Sequence, residues 1–199
     1  RISIDGNPGT RMHDLLQLPS GQYLALLSTE RDGQSLALAQ FNADGGLDIG
    51  FGRGGAVHFS RTQLGLSTTN TTFRDLTLLR QEDGRLLLSL VFNNGFNANE
   101  NGALLARLNA DGSLDTSFAA ADADGVAGIA LIRQNPAPTG PVIRLQNGRP
   151  VLMLFDGNQS YSFFAFTTSG AADASFGTNG RAQVVTTNAN LSSVTAQDF

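Results

Sequence analysis

Three segments of this chain say nearly the same thing. Residues 41–57 read FNADGGLDIGFGRGGAV, residues 108–118 read LNADGSLDTSF, and residues 166–185 read FTTSGAADASFGTNGRAQVV. Each copy sets an Asp and then a Phe at fixed distances after a turn glycine: Gly45, Asp48, Phe51; Gly112, Asp115, Phe118; Gly170, Asp173, Phe176. Recurrence at long spacing marks an array of like supersecondary units, each hiding its apolar face against the next. That constrains the architecture before any residue is asked to do chemistry.

A second landmark recurs upstream of the first. LLQLPSGQYLALL (15–27), LTLLRQEDGRLLLSLVF (76–92) and VIRLQNGRPVLMLF (142–155) each put a turn pair between two apolar runs. Ser20-Gly21, Asp83-Gly84 and Asn147-Gly148 suit the positive φ of a tight turn, so each segment predicts a β-hairpin. A third run follows (Leu36–Phe41, Leu104–Leu108, Phe163–Phe166), then the Asp-bearing turn, then a fourth run such as Ala56–Phe59 or Ala182–Val185. No apolar run keeps a helical period for more than about two turns. Four short strands per unit, repeated, are the pattern of a β-propeller. The expected fold is therefore all-β, a β-propeller-like array of about three four-stranded antiparallel blades.

Asp14, Asp75 and Asp198 stand at matching places and divide the chain into units at 13–60, 73–132 and 141–186. Residues 1–12 and 190–199 then belong to partial neighbouring units, with Ile2–Ile4 ending one and Val194–Phe199 starting another. Three blades are fewer than the four to eight that close a ring. The expectation is a piece of a longer array; a second copy completing the ring, or another domain covering an open arc, are the alternatives. The chain starts at Arg1 without Met, which reads as trimmed or processed.

Composition narrows the function. The chain has 199 residues, 41% apolar and 15% charged, with a net charge of −4 and no Cys. That apolar share is enough to fold. An acidic balance opposes nucleic-acid binding and polybasic membrane contact. Without Cys there are no disulfides, thiolate metal sites or Cys nucleophiles. No apolar run reaches the ~18 residues of a membrane span. The two histidines, His13 and His58, lie in different strands, and no Gly-x-Ser-x-Gly elbow is present, so neither a zinc site nor a Ser-His-Asp triad is expected.

The phrase RLNADGSLDTSF, at residues 107–118, resembles the repeat of the bacterial delta-60 family, and the resemblance extends over almost the whole chain. It implies a β-propeller, usually within large secreted or surface proteins of bacteria and mostly without an assigned function. Two copies depart from the pattern. The second has AAADADGVAG (119–128) where Phe-Gly-x-x-Gly is expected, and the third has Thr168-Ser169-Gly170-Ala171-Ala172 in the turn.

Candidate sites follow from residue type and place. Asp48, Asp115 and Asp173 are expected to accept backbone N–H groups within their turns; a ring of metal ligands is the alternative. Phe51, Phe118 and Phe176 are expected between blades. Asp122, Asp124 and Gly125 echo a calcium loop, and with Asp111 and Asp115 nearby they make a weak calcium site, lacking the distal Glu of an EF-hand; no other cofactor is implied. The loops between second and third strands, Thr29–Ser35, Asn93–Gly102 and Asp156–Ser160, vary on a constant frame, where repeat folds place recognition. In Asn93–Gly102, the residues Asn94, Phe96, Asn97, Asn99 and Glu100 combine amides, an aromatic ring and a carboxylate in a mix suited to a polar ligand such as a glycan.

The functional expectation is a secreted or cell-surface scaffold that binds protein or carbohydrate, with no catalysis assigned. One alternative is a polysaccharide-active enzyme using loop carboxylates such as Glu30 and Glu100. Another is a structural subunit of a surface assembly. Expected partners are further blades of a longer chain or a second copy, and a protein or glycan ligand, not nucleic acid.

Overall fold

The computed structural model describes residues 10–29, 35–66, 71–119, 125–157 and 159–185. These form twelve strands. The first sheet holds β1 (Thr10–Gln17), β2 (Tyr23–Thr29), β3 (Ser35–Phe41) and β4 (Ala56–Ser60). The second holds β5 (Thr71–Arg80), β6 (Leu86–Asn94), β7 (Gly102–Leu108) and β8 (Ile129–Arg133). The third holds β9 (Thr139–Gln146), β10 (Arg149–Gly157), β11 (Ser160–Ala165) and β12 (Arg181–Val185). Every neighbouring pair is antiparallel, and each sheet keeps its strands in chain order. The fold is all-β, with three propeller-like blades. Two short 3₁₀ turns, Thr62–Leu64 and Ala98–Glu100, are the helical elements among the described residues. No helix there is long and apolar enough to cross a membrane.

Alternation along each strand gives every blade two apolar faces. Leu24, Leu26, Leu36 and Leu38 of the first blade pack with Leu86, Leu88, Leu90 and Leu104 of the second in one buried cluster. The opposite face of the second blade, with Leu87, Val91 and Leu105, packs on Ile143, Leu152 and Leu154 of the third. Period-two patterning thus places β6 and β7 between two neighbours, and every residue of β7 is buried.

The first strands carry the contacts between frames. β1, β5 and β9 each slip register once against the second strand of their blade. Such a bulge re-aims a side chain. Beside the bulge in β1, Asp14 accepts the Leu78 backbone N–H of the second blade at 2.8 Å. Asp75 sits at the bulge in β5 and accepts the Gly140 N–H of the third at 3.3 Å. Two of the landmarks that set the repeat period are therefore blade-to-blade ties. The third, Asp198, lies outside the described residues, as do Ile2–Ile4, Glu30 and Val194–Phe199.

Candidate functional site

The recurring aspartate builds the same turn three times. Asp48 accepts the Gly50 N–H at 3.1 Å, Asp115 the Ser117 N–H at 3.0 Å, and Asp173 the Ser175 N–H at 3.1 Å. Ser117 and Ser175 add their hydroxyls to the same oxygen. This is the turn-fixing role that the spacing predicts.

The second carboxylate oxygen does something the sequence reading missed. On Asp48 it accepts Gln22 and Gln40 side-chain amides at 3.1 and 2.8 Å. On Asp115 it accepts Arg85 and Arg107 at 3.1 and 2.7 Å, and on Asp173 it accepts Arg149 at 2.5 Å. Gln22, Arg85 and Arg149 each follow the hairpin glycine directly, a donor in all three copies, and that regularity is the signal that could have found them. One carboxylate thus bolts the first hairpin turn of its blade to the loop before the fourth strand. Burial pushes the Asp115 carboxyl up, but donation from Ser117, Arg85 and Arg107 outweighs it and holds the group far below the usual carboxylate range. The Ser175 hydroxyl and N–H lower Asp173 in the same way.

Arg85 and Arg107 also line a cleft between the second and third blades, with Glu82, Asn147 and Thr168 on its walls. Arg107 reaches across it to the Thr168 carbonyl at 2.5 Å and lies over the Phe118 ring at 4.6 Å. Its charge is committed to Asp115 and its face to an aromatic ring. This end of the blades is a structural joint.

The loop after β6 is different. Asn94 is buried, and its side-chain oxygen accepts the N–H groups of Phe96 and Asn97 at 3.0 and 3.2 Å while its amide donates to Glu100 at 2.7 Å. The buried Asn101 accepts the Asn94 N–H at 2.8 Å. Asn97 donates to Glu100 at 3.3 Å and accepts the Asn99 N–H at 3.2 Å. Glu100 therefore has both oxygens engaged within the loop. The result is a self-bonded turn in which Asn94 and Glu100 form the frame, Asn97 and Asn99 lie exposed, and Phe96 projects with 84% of its surface open. An aromatic ring so exposed on a braced loop is the informative case, since scattered exposed aliphatics are ordinary.

Asp156, assigned to the third variable loop, lies within β10 and is buried. It accepts Gln134 and Ser162 at 2.6 Å each and Gln183 at 3.1 Å, with Arg181 at 4.0 Å. Of the four aspartates of the calcium reading, Asp111 is exposed and holds Ser113, Asp115 is bonded to two guanidinium groups, and Asp122 and Asp124 lie outside the described residues. Among the described residues no group of three or more His, Cys, Asp or Glu is placed to hold a metal ion.

Over a short stretch of the chain, a family model agrees with this architecture. A family model described as a domain of unknown function (DUF5122) beta-propeller matches residues 81–118, the stretch from the second hairpin turn to Phe118. No curated protein matches. A solved structure, described as a GH43 glycoside hydrolase engineered at its active site to display endo-xylanase and exo-arabinofuranosidase activity, is similar with 11% identity and a TM-score of 0.41. The match covers 86% of this chain and 28% of that one.

Proposed function

We propose that this chain is a binding scaffold of the delta-60 repeat kind, secreted or displayed at a bacterial surface, that engages a glycan or protein partner through the Asn93–Gly102 loop and performs no catalysis. The observation that carries the reading is Phe96, 84% exposed on a turn whose polar groups are spent on bracing it. An aromatic ring held out on a braced loop stacks on the apolar face of a sugar, and the exposed Asn99 amide beside it, outside that bracing, supplies hydrogen bonds. This make-up favours a glycan over a protein surface.

Four of the described carboxylates do not suit an acid catalyst. A glycosidase needs one acid kept protonated near neutral pH. Asp83, Asp111, Asp115 and Asp173 are all shifted the other way. Glu100 is tied at both oxygens.

The test is affinity electrophoresis against soluble polysaccharides (xylan, arabinan, glucan and chitosan), comparing the native chain with Phe96→Ser. The expected result is retardation by at least one polysaccharide, weakened about tenfold or more by the substitution. No retardation by any of them, or equal retardation of both proteins, would refute the glycan reading. Release of reducing sugar would refute the absence of catalysis.

A further inference from the structure

The cleft between the second and third blades has more acceptors than its own donors satisfy. Its volume is about 540 Å³, within the range of small-ligand sites. Both cations on its walls are committed. Arg85 gives Nε and Nη2 to Asp83 and Nη1 to Asp115, and Arg107 divides its three nitrogens among Asp115, Ser117 and the Thr168 carbonyl. An anionic ligand finds no free guanidinium nitrogen there. Two acceptors are left over. Gln81 is 8% exposed, yet its side-chain amide oxygen has no hydrogen-bond partner among the described residues. Glu82 beside it is exposed and makes no hydrogen bond or ion pair among those residues.

The strand before it turns Gln81 toward this cleft. Alternation along β5 puts residues 79 and 81 on one side, and Leu79 packs on the cluster shared with the third blade. The turn itself does not need a polar residue at that place. Leu18 holds the matching position in the first blade, its N–H donating to the Gln22 carbonyl as that of Gln81 donates to the Arg85 carbonyl. There the leucine side chain packs on the core. A buried acceptor left unmatched where leucine fits lowers stability, so the Gln81 oxygen calls for a donor from outside the chain.

We infer that this cleft is a second ligand site, which takes the primary ammonium group of an amino sugar. An ammonium group brings three donors and no acceptor, the complement of the Gln81 oxygen and the Glu82 carboxylate. Asn147 and Thr168 on the walls are polar and exposed, and Leu145 is the one apolar side chain among the described residues lining the cleft. Such walls suit a hydroxylated ring better than the methylene stem of a lysine. The site lies at the opposite end of β6 from the Phe96 loop, roughly 30 Å away along that nine-residue strand. It takes nothing from the Phe96 reading, so the two fail separately.

A ¹⁵N NMR titration of the 199-residue chain with the glucosamine trimer tests it, at a mildly acidic pH that keeps the amines charged and the carboxylates ionised. Saturating shifts are expected at the Gln81 and Asn147 side-chain amides and at the Gln81 and Glu82 backbone N–H groups. Glu82→Gln and Gln81→Leu should each weaken the binding read there about tenfold or more. The fully N-acetylated trimer, which carries no ammonium, should leave those signals in place. Without ligand, Gln81→Leu should melt above the native chain, so its loss of binding cannot come from misfolding. Shifts confined to residues 94–99 would overturn the cleft site while supporting the Phe96 reading. No shift at the cleft up to about 10 mM trimer, tenfold above a millimolar contact, would overturn it as well. So would variants that bind like the native chain, a Gln81→Leu chain that melts lower, or Nα-acetyl-lysine amide binding there more tightly than the trimer.

Discussion

Truncating Phe118 to Ala should be among the most damaging single changes this chain can take. The ring is fully buried, touches the Gly170 turn of the next blade, and lies under the Arg107 guanidinium. Removing a buried ring and leaving its cavity costs about 3–5 kcal/mol, and the lost cation–π contact falls within that range. At roughly 2–4 °C per kcal/mol for a domain of this size, the melting temperature should drop by about 6–20 °C. The control lies within the same repeat: Phe176→Ala removes an identical ring from an equivalent position with no glycine turn beneath it among the described residues. In dilute solution its cost should be about 2 kcal/mol or less. Thermal unfolding followed by far-ultraviolet circular dichroism reads both. A Phe118→Ala melting point within about 2 °C of the native one, or a Phe176→Ala loss as large as that of Phe118→Ala, would refute the ring-on-glycine joint.

Two further results follow from the same geometry. Gly170 and Gly45 share a φ of +85°, so an alanine strains both backbones by about 1 kcal/mol. Gly170→Ala also drives a Cβ to 2.5 Å from the Ala119 nitrogen, and should cost about 2–4 kcal/mol against about 1 for Gly45→Ala; equal losses in urea titration would remove the steric part of the argument. Asp115→Asn leaves the buried Arg107 guanidinium without its anion and should cost about 3 kcal/mol at neutral pH. The Asp115 pKa is depressed in the folded chain, so its contribution is complete above the ordinary carboxylate value and is lost as pH falls below it. The native chain should therefore lose stability on acidification more steeply than Asp115→Asn, and parallel acid limbs in urea unfolding would contradict that sign.

Most of the frame was legible because it is local. The hairpins of all three blades sit where alternation and turn glycines put them, and Gly21, Gly84 and Gly148 do lie at positive φ. The Asp turn was equally readable, since its donors are two residues away. What escaped was non-local. Arg107 is brought to Asp115 by the return of the chain from β7, and Asn94 binds Glu100 only because the loop closes on itself. Asp156 looked like a loop residue because Gly157 and Asn158 follow it, yet the register of β10 turns it inward toward Gln134 of the preceding blade. Composition places such residues near one another in sequence; the fold decides whether they face a ligand or one another.

The departure of the second copy shows the same division at a single position. Residues 52, 119 and 177 all adopt a positive φ directly after the repeat phenylalanine, with Gly at 52 and 177 and Ala at 119. A Cβ at Gly52 would stand 2.3 Å from the Ala56 carbonyl oxygen, and one at Gly177 would stand 2.1 Å from that of Arg181. Those carbonyls are held in place by hydrogen bonds from Arg53 and Thr178, for which the described residues of the second copy show no counterpart. The closing bond is kept nonetheless: Gly55 donates to Phe51, Gly180 to Phe176, and Gly128 to Phe118 across the longer loop. The Ala119 methyl and the extra residues before Gly128 therefore belong together, since a short loop has no space for that methyl. The methyl is accommodated in the blade that is covered on both faces. There the Ala119 N–H is turned to the Ser169 carbonyl at 2.7 Å, adding a hydrogen bond to the joint with the third blade. The irregular copy is thus the one in which the repeat's turn has been adapted to bind its neighbour.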